Sequence, residues 1–321
     1  AQIADVVSGT ASVDVSAAVQ LAINYCATFV DSNSKLQWPT LVIPGLCRLD
    51  STVKIDRTVD TSASKFHIVG EGPGAGFYTT SAIQMFTVTT PDVTPPIRPS
   101  SENISFHNIT FKCDNINTDA FTISQDFLRI EFWACHWYNM RCMYSSRYIQ
   151  DINFYGGTVR YWKATGAFVS SVGAYAVNSF GLKMEGGGVS GYGFYHDDPA
   201  GAAGIVGCSH VGTLYENCNA SFFPGAVVRG LNISGCYGED NLGPFCAFNT
   251  NITHENHGIS FIGNQIASST RTSAGSTQDP YSNPLFFEVT WGKAKGCVSH
   301  GFYGNAHDIT GAYESGVDIR D

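Results

Sequence analysis

Charge is what this sequence has least of. Only 14% of its 321 residues are Asp, Glu, Lys or Arg, against about a quarter in an ordinary soluble domain, so Ser, Thr, Asn, Gly and aromatic side chains must make up much of the surface. Basic residues number 18 against 27 acidic ones, a net charge of -9, and no basic cluster is denser than Lys293-Ala294-Lys295. A protein that neutralises a row of phosphates needs clustered Lys and Arg, so no nucleic-acid partner is expected. Long apolar runs are also missing. None approaches the ~18 residues that read as a membrane span, so no membrane insertion is expected. The ten cysteines contain no Cys-x-x-Cys pair, which removes the usual zinc signature. The sequence calls for no metal and no other cofactor. Residues 1–5, Ala-Gln-Ile-Ala-Asp, carry neither the basic nor the apolar region of a signal peptide.

Helical periodicity is scarce as well. Only one segment shows it: from Val15, the apolar residues Ala18, Val19, Ala22, Ile23, Cys26, Phe29 and Val30 recur at spacings of three and four, with Ser12 or Asp14 placed to cap the start. A short strand, Leu41-Val42-Ile43, follows and is closed by Pro44-Gly45. Beyond it the chain is a succession of short Val/Ile/Phe/Tyr runs broken by Gly, Asn and Asp, the pattern of many short strands.

What the sequence does have is a repeat. Ile205-Val206-Gly207-Cys208 is followed 28 residues later by Ile233-Ser234-Gly235-Cys236, and 28 later again by Phe261-Ile262-Gly263-Asn264. Cys218 and Cys246 keep that offset, as do Leu214 and Leu242. The pattern returns at Phe302-Tyr303-Gly304-Asn305, 41 residues on, after a Ser/Thr-rich excursion at 268–283 that reads as a loop. Ile104-Ser105-Phe106-His107-Asn108-Ile109-Thr110-Phe111 and Ile149-Gln150-Asp151-Ile152-Asn153-Phe154 are earlier, less regular copies. Several strands per period with no helix between them indicate a solenoid. The expected fold is all-β: a single-stranded right-handed parallel β-helix with an N-terminal capping α-helix. Residues 1–50 form the cap with the helix and first strand, and 51–321 form the β-helix, its last coil covered by oligomerisation or by further chain. The cysteines are expected to be buried and reduced.

The order Asp14-Val15-Ser16-Ala17-Ala18-Val19-Gln20-Leu21-Ala22-Ile23, followed by Leu41-Val42-Ile43-Pro44-Gly45, resembles the opening of pectate-lyase-like right-handed β-helices, especially bacteriophage tailspike depolymerases. Phe66-His67-Ile68-Val69-Gly70-Glu71-Gly72 is similar to their second coil and Ile233-Ser234-Gly235-Cys236-Tyr237 to a later one. The resemblance implies a homotrimeric fibre on the phage tail of the virion, which binds and cleaves a bacterial surface polysaccharide (capsule or O-antigen). It assigns no active site, because catalytic residues in this group share no motif.

Chemistry must therefore be sought in the residues. Glycoside hydrolysis needs a carboxylic acid and a second carboxylate; elimination from a uronic acid needs a base such as His, Lys, Arg or Tyr. With Ser179, Gly207 and Gly235 taken as one column, Lys183 and Glu239 fall four positions on, His210 three, Asp240 five and Glu185 six. Glu239 and Asp240 are the preferred acids. Glu185 lies two coils away, roughly 10 Å at ~4.8 Å per coil, near the inverting range of ~6.5–9.5 Å. Glu216, on a different flank of its coil, and the run His196-Asp197-Asp198 are further candidates. Trp133, Trp137, Tyr155, Tyr161 and Tyr237 are expected to meet sugar rings, and Lys183 and His210 their polar groups. A hydrolase is favoured. The alternatives are a lyase on the same scaffold, a receptor-binding fibre without turnover, or a secreted pectinolytic enzyme.

Overall fold

Coils are built from three or four short strands whose apolar residues point inward and whose ends are set by tight corners. The computed structural model describes residues 11–28, 39–56, 66–89, 104–123, 127–186, 191–198, 204–224, 227–241, 246–249 and 255–269, and beyond them the strand segments 271–273, 276–277, 287–289, 293–295, 298–300, 307–309 and 318–320. The chain divides into two compact units, Ala1–Thr158 and Val159–Asp321. The C-terminal copy at Phe302–Asn305 and the chain end at Asp321 lie outside the described residues. So do Phe29 and Val30.

In the first unit, Thr40–Ile43, Phe66–Gly70, Ile104–His107, Phe127–Trp133 and Cys142–Tyr155 stack in parallel register. A second stack runs Leu46–Arg48, Gly76–Thr79, Thr110–Cys113, His136–Met140. A third holds Val53–Asp56, Gln84–Thr89, Asp119–Ile123 and the start of Cys142–Tyr155. Alternation along each strand turns every second residue inward. Phe106, Phe132 and Phe154 thus become an interior ladder, with ring centroids 5.3 and 5.2 Å apart and nearly parallel, flanked by Phe86, Phe111, Phe121 and Trp137.

The second unit repeats the plan. Gly166–Phe180 pairs with Tyr192–His196 and with Ser209–Val211. The latter continues to Asn232–Ser234, Ser260–Ile262, Val298–His300 and Asp318–Arg320. Tyr192–His196 continues to Asn219–Pro224, Cys246–Asn249, Phe287–Val289 and His307–Ile309, and Ile205–Val206 to Val228–Arg229, Glu255–His257 and Lys293–Lys295. A fourth stack is Lys183–Glu185, Leu214–Glu216, Tyr237–Asn241 and Gln265–Ser269. Within the 268–283 excursion, Arg271–Ser273 and Ser276–Thr277 form an antiparallel pair. Both units are thus parallel β-solenoid, as the repeat predicts.

The period, however, is not constant. Ile233 does pair with Phe261 and Tyr237 with Gln265, 28 residues on. Ile205 instead pairs with Val228 and His210 with Ile233, a coil of 23 residues. Cys208 and Cys236 therefore do not share a column, and neither do Cys218 and Cys246, since Cys246 pairs with Ser221. Nor is Ser179 equivalent to Gly207, because Ser179 pairs with His210. What does stay in column is the corner glycine. Gly181, Gly212, Gly235 and Gly263 have φ of 63°, 59°, 59° and 61°, and the first three donate their N–H to Val211, Ser234 and Ile262 of the next coil. Left-handed backbone is costly for a residue with a Cβ, so glycine marks this corner while loop lengths elsewhere vary.

The capping helix, α1 (Ser16–Thr28), buries Val19, Ile23 and Cys26. Asp14 Oδ1 accepts from Ser16 N at 2.9 Å and from Asp50 N at 3.0 Å, tying the helix start to the first coil. Gln20 completes the cap: its Oε1 accepts from Lys54 N at 2.6 Å and its Nε2 donates to Lys54 O at 2.7 Å. The amide side chain pairs with the strand Val53–Asp56 on the edge opposite Gln84–Thr89. The nine cysteines among the described residues are all free and buried, as expected.

Candidate functional site: a glutamate row beside an exposed tyrosine

The strands Lys183–Glu185, Leu214–Glu216 and Tyr237–Asn241 bring Glu185, Glu216 and Glu239 into one row, and Lys183, Leu214 and Tyr237 into the row two residues earlier. Glu216 therefore does not lie on a separate flank; it stands between the other two acids. The cause is the 23-residue coil, which places Tyr237 rather than Leu242 above Leu214. In-register neighbours are ~4.8 Å apart, so Glu216 and Glu239 are spaced close to the ~5–5.5 Å of a retaining pair, and Glu185 and Glu239 fall at the outer edge of the inverting range.

Cations stand beside the first two acids of the row. Arg160 Nε lies 2.9 Å and Lys183 Nζ 3.6 Å from Glu185 Oε2, and Lys183 Nζ also lies 3.2 Å from Glu216 Oε2. All four side chains remain partly open to solvent. Tyr161, next to Arg160 in Thr158–Trp162, is 53% exposed. It lies over Gly186, where a Cβ would come within 2.9 Å of the ring; the missing side chain is what lets the ring settle beside Glu185. Tyr237 is half-buried, two residues before Glu239 on the same strand. Asp240 follows Glu239 in a strand rather than a turn, and its side chain lies outside the described residues.

Other expected site residues fall in the interior. His196, Asp198 and His210 are fully buried, and Trp137 is buried in the aromatic core of the first unit. His196 Nδ1 meets Ser170 Oγ at 2.8 Å. His210 Nδ1 meets Ser179 Oγ at 2.9 Å, and its ring stacks on Phe194 at 4.1 Å. Burial pushes both imidazoles down to about 3. Asp198 Oδ2 accepts from Gly204 N at 2.5 Å, a structural bond that holds a corner. Inward alternation explains Trp137, His196 and His210, Asp198 is buried just past its strand, and none of the four faces an external sugar. Asp197 is half-buried, and desolvation first, then the Asp198 charge, raises its carboxyl.

Trp133 and Tyr155 belong to the first unit and face outward. Their rings stack on each other at 3.9 Å, so part of the aromatic face expected to meet sugar is already covered. Beside them stand His67, Ser105, His107 and Glu131, which the sequence reading passed over. The signal was present as Ile104-Ser105-Phe106-His107, Ile130-Glu131-Phe132-Trp133 and Ile152-Asn153-Phe154-Tyr155, whose outward positions are all polar or aromatic.

Fold and row together define the class: a parallel β-solenoid with an outward acidic row. Among solved structures the chain is similar to the ORF18 protein of Geobacillus virus E2, with TM-score 0.52 and 13% identity over 94% of this chain and 58% of that one. The chain thus spans under two thirds of that protein's length. Also matched are tailspike protein 3 of bacteriophage CBA120 (TM-score 0.37, 12% identity, 95% of this chain and 57% of that chain) and the A-module of a mannuronan C-5 epimerase from Azotobacter vinelandii (TM-score 0.33, 12% identity, 98% and 97%). No family model and no curated protein matches the sequence. Among the described residues no helix is long and apolar enough to cross a membrane.

Proposed function

We propose that this chain is a tailspike-like protein that binds and cleaves a bacterial surface polysaccharide, as a glycoside hydrolase working at Glu216 and Glu239. The observation that carries the reading is the row itself: glutamates in register on adjacent coils, whose backbone spacing of ~4.8 Å suits a retaining pair, with an exposed tyrosine at one end. Tyr161 offers its ring to the apolar face of a pyranose, and Tyr237 and Lys183 take hydroxyls. Glu216 lies against the Lys183 ammonium and serves as the attacking carboxylate; Glu239 gives its proton to the leaving oxygen and then takes one from water. Asp240, next in the strand, is the neighbouring acid. The tailspike-like opening Asp14–Ile23 supports assembly as a homotrimer on the phage tail.

The test is release of reducing ends from purified capsules and O-antigens. Glu216→Gln and Glu239→Gln should each cut turnover at least ~100-fold, the scale of acid–base assistance, while leaving thermal unfolding unchanged. Full activity in both variants removes the row from the chemistry. An ultraviolet-absorbing unsaturated product would mark a lyase instead, and binding without any product a receptor fibre.

A further inference from the structure

Outward positions on four stacked strands of the first unit form a second polar row. His67, Ser105, Glu131 and Asn153 are in register, and two residues further along each strand so are Val69, His107, Trp133 and Tyr155. Within this face the Ser105 hydroxyl lies 2.5 Å from His67 Nδ1 and 2.8 Å from His107 Nε2. A serine hydroxyl has one proton to give. One imidazole must therefore accept that proton, while the other donates its N–H to the same oxygen. A hydroxyl hydrogen-bonded to a base is the arrangement that activates serine as a nucleophile.

We propose that Ser105 and His107 form a hydrolytic site for small acyl esters on sugar hydroxyls, separate from the glutamate row and independent of the depolymerase reading. His107 is held neutral, with burial first and then the neighbouring His67 lowering it, and Glu131 beside it opposes that shift and favours the imidazolium formed when Nε2 takes the proton. Ser105 Oγ attacks the ester carbonyl as its proton passes to His107 Nε2, and the carbonyl electrons move onto oxygen. As Ser105 Oγ becomes bonded to the carbonyl carbon, His67 Nδ1–H can turn from it to the developing charge. Collapse breaks the bond to the sugar oxygen, which leaves with the proton from His107. Water then gives a proton to His107 as its oxygen attacks the acyl carbon; collapse returns that proton from His107 to the Ser105 oxygen and releases the acyl group as a carboxylic acid, which loses its own proton to solvent.

Size and surroundings set the substrate class. Ser105 is only 2% exposed, between two imidazoles, so a small acyl group is favoured over a large one. The sugar carrying that group would lie on the outer surface. There Trp133 is 40% exposed, its Nε1–H donates to Glu131 Oε2 at 3.2 Å, and Tyr155 and Asn153 continue the face.

The test uses the full chain with para-nitrophenyl acetate and a fluorophosphonate probe. Peptide mass mapping should find the fluorophosphonate on Ser105. Ser105→Ala and His107→Gln should each lower para-nitrophenyl acetate turnover by at least ~100-fold with unchanged thermal unfolding. Ser105→Cys, which keeps the shape of the site, should accumulate an acetyl group on that residue. Turnover that survives Ser105→Ala, a probe found only elsewhere or nowhere, or an unacetylated Ser105→Cys chain overturns the proposal.

Discussion

At the scale of single residues, the same side-chain type does opposite work depending on which way the strand alternation points it. His67 and His107 face outward and share a hydroxyl with Ser105; His196 and His210 face inward, and their Nε2 atoms have no protein partner. A neutral imidazole fits the interior, whereas an imidazolium there would be stripped of water. This makes the fold acid-sensitive, with a defined sign. Both folded-state values are pushed down to about 3, below the ~6.5 of an exposed histidine. The unfolded chain therefore binds more protons as pH falls. The stability is fully present above about pH 6.5 and is lost between there and about pH 3, at up to about 1.4 kcal/mol per pH unit for each histidine. Melting temperature measured against pH should drop steeply across that window, and His196→Gln with His210→Gln should flatten it. An equally steep acid limb in the double variant would trace the loss to carboxylates instead.

Legibility from sequence also divides at this scale. The residues Glu185, Glu216, Glu239, Lys183 and Tyr161 were all readable as candidates, because charged and aromatic side chains are conspicuous in so weakly charged a chain. Their grouping was not. A 28-residue period fits Ile233 over Phe261 but misplaces Ile205 by five positions, since the intervening coil is shorter. The corner residue would have been the better ruler. In the second unit glycine occupies it four times, yet in the first unit the same left-handed corner is held by Asn108, Ala134 and Gly156, so no single residue type announces it. The expectation that Trp137, His196 and His210 face outward failed for a related reason: with strand starts unknown, a one-residue slip reverses every face.

Among elements, the helix is the one whose role was plainest in advance, and the structure gives that role a specific contact. A solenoid end exposes unpaired strand groups that template aggregation. Covering them with an apolar helix face alone would bury N–H and C=O without partners. The Gln20 amide, one donor and one acceptor in a plane, takes the place of a peptide group against Lys54. Gln20→Ala should cost about 1–2 kcal/mol, two ordinary hydrogen bonds partly replaced by water, and should increase end-to-end association on heating. Gln20→Glu keeps the acceptor but removes the donor, so it should fall between the two in denaturant midpoint. If Gln20→Ala is as stable as the parent chain, the helix caps by apolar contact alone.

At the scale of the whole molecule, the stacked coils make stability a property passed between neighbours. Each coil of a solenoid buries its apolar residues mainly against the coils before and after it, and in the first unit this is visible as Phe106, Phe132 and Phe154 in contact along one line. Removing the middle ring should therefore do more than open a local cavity. Phe132→Ala is expected to cost about 3–5 kcal/mol, the range for a buried aromatic, and to loosen both strands that the ring touches. Amide hydrogen exchange read by peptide mass spectrometry supplies the check, because backbone protection reports opening segment by segment. Ile104–His107 and Cys142–Tyr155 should lose protection together with Phe127–Trp133, although neither strand carries the substitution. If the loss stays confined to Phe127–Trp133, each coil holds its own backbone, and the ladder contributes packing without coupling. The same comparison bears on Ser105 and His107, whose strand Ile104–His107 pairs directly with Phe127–Trp133. A coupled ladder means that the geometry around the Ser105 hydroxyl is held from inside by Phe132, so ester hydrolysis should fall in Phe132→Ala even though that side chain never meets the substrate.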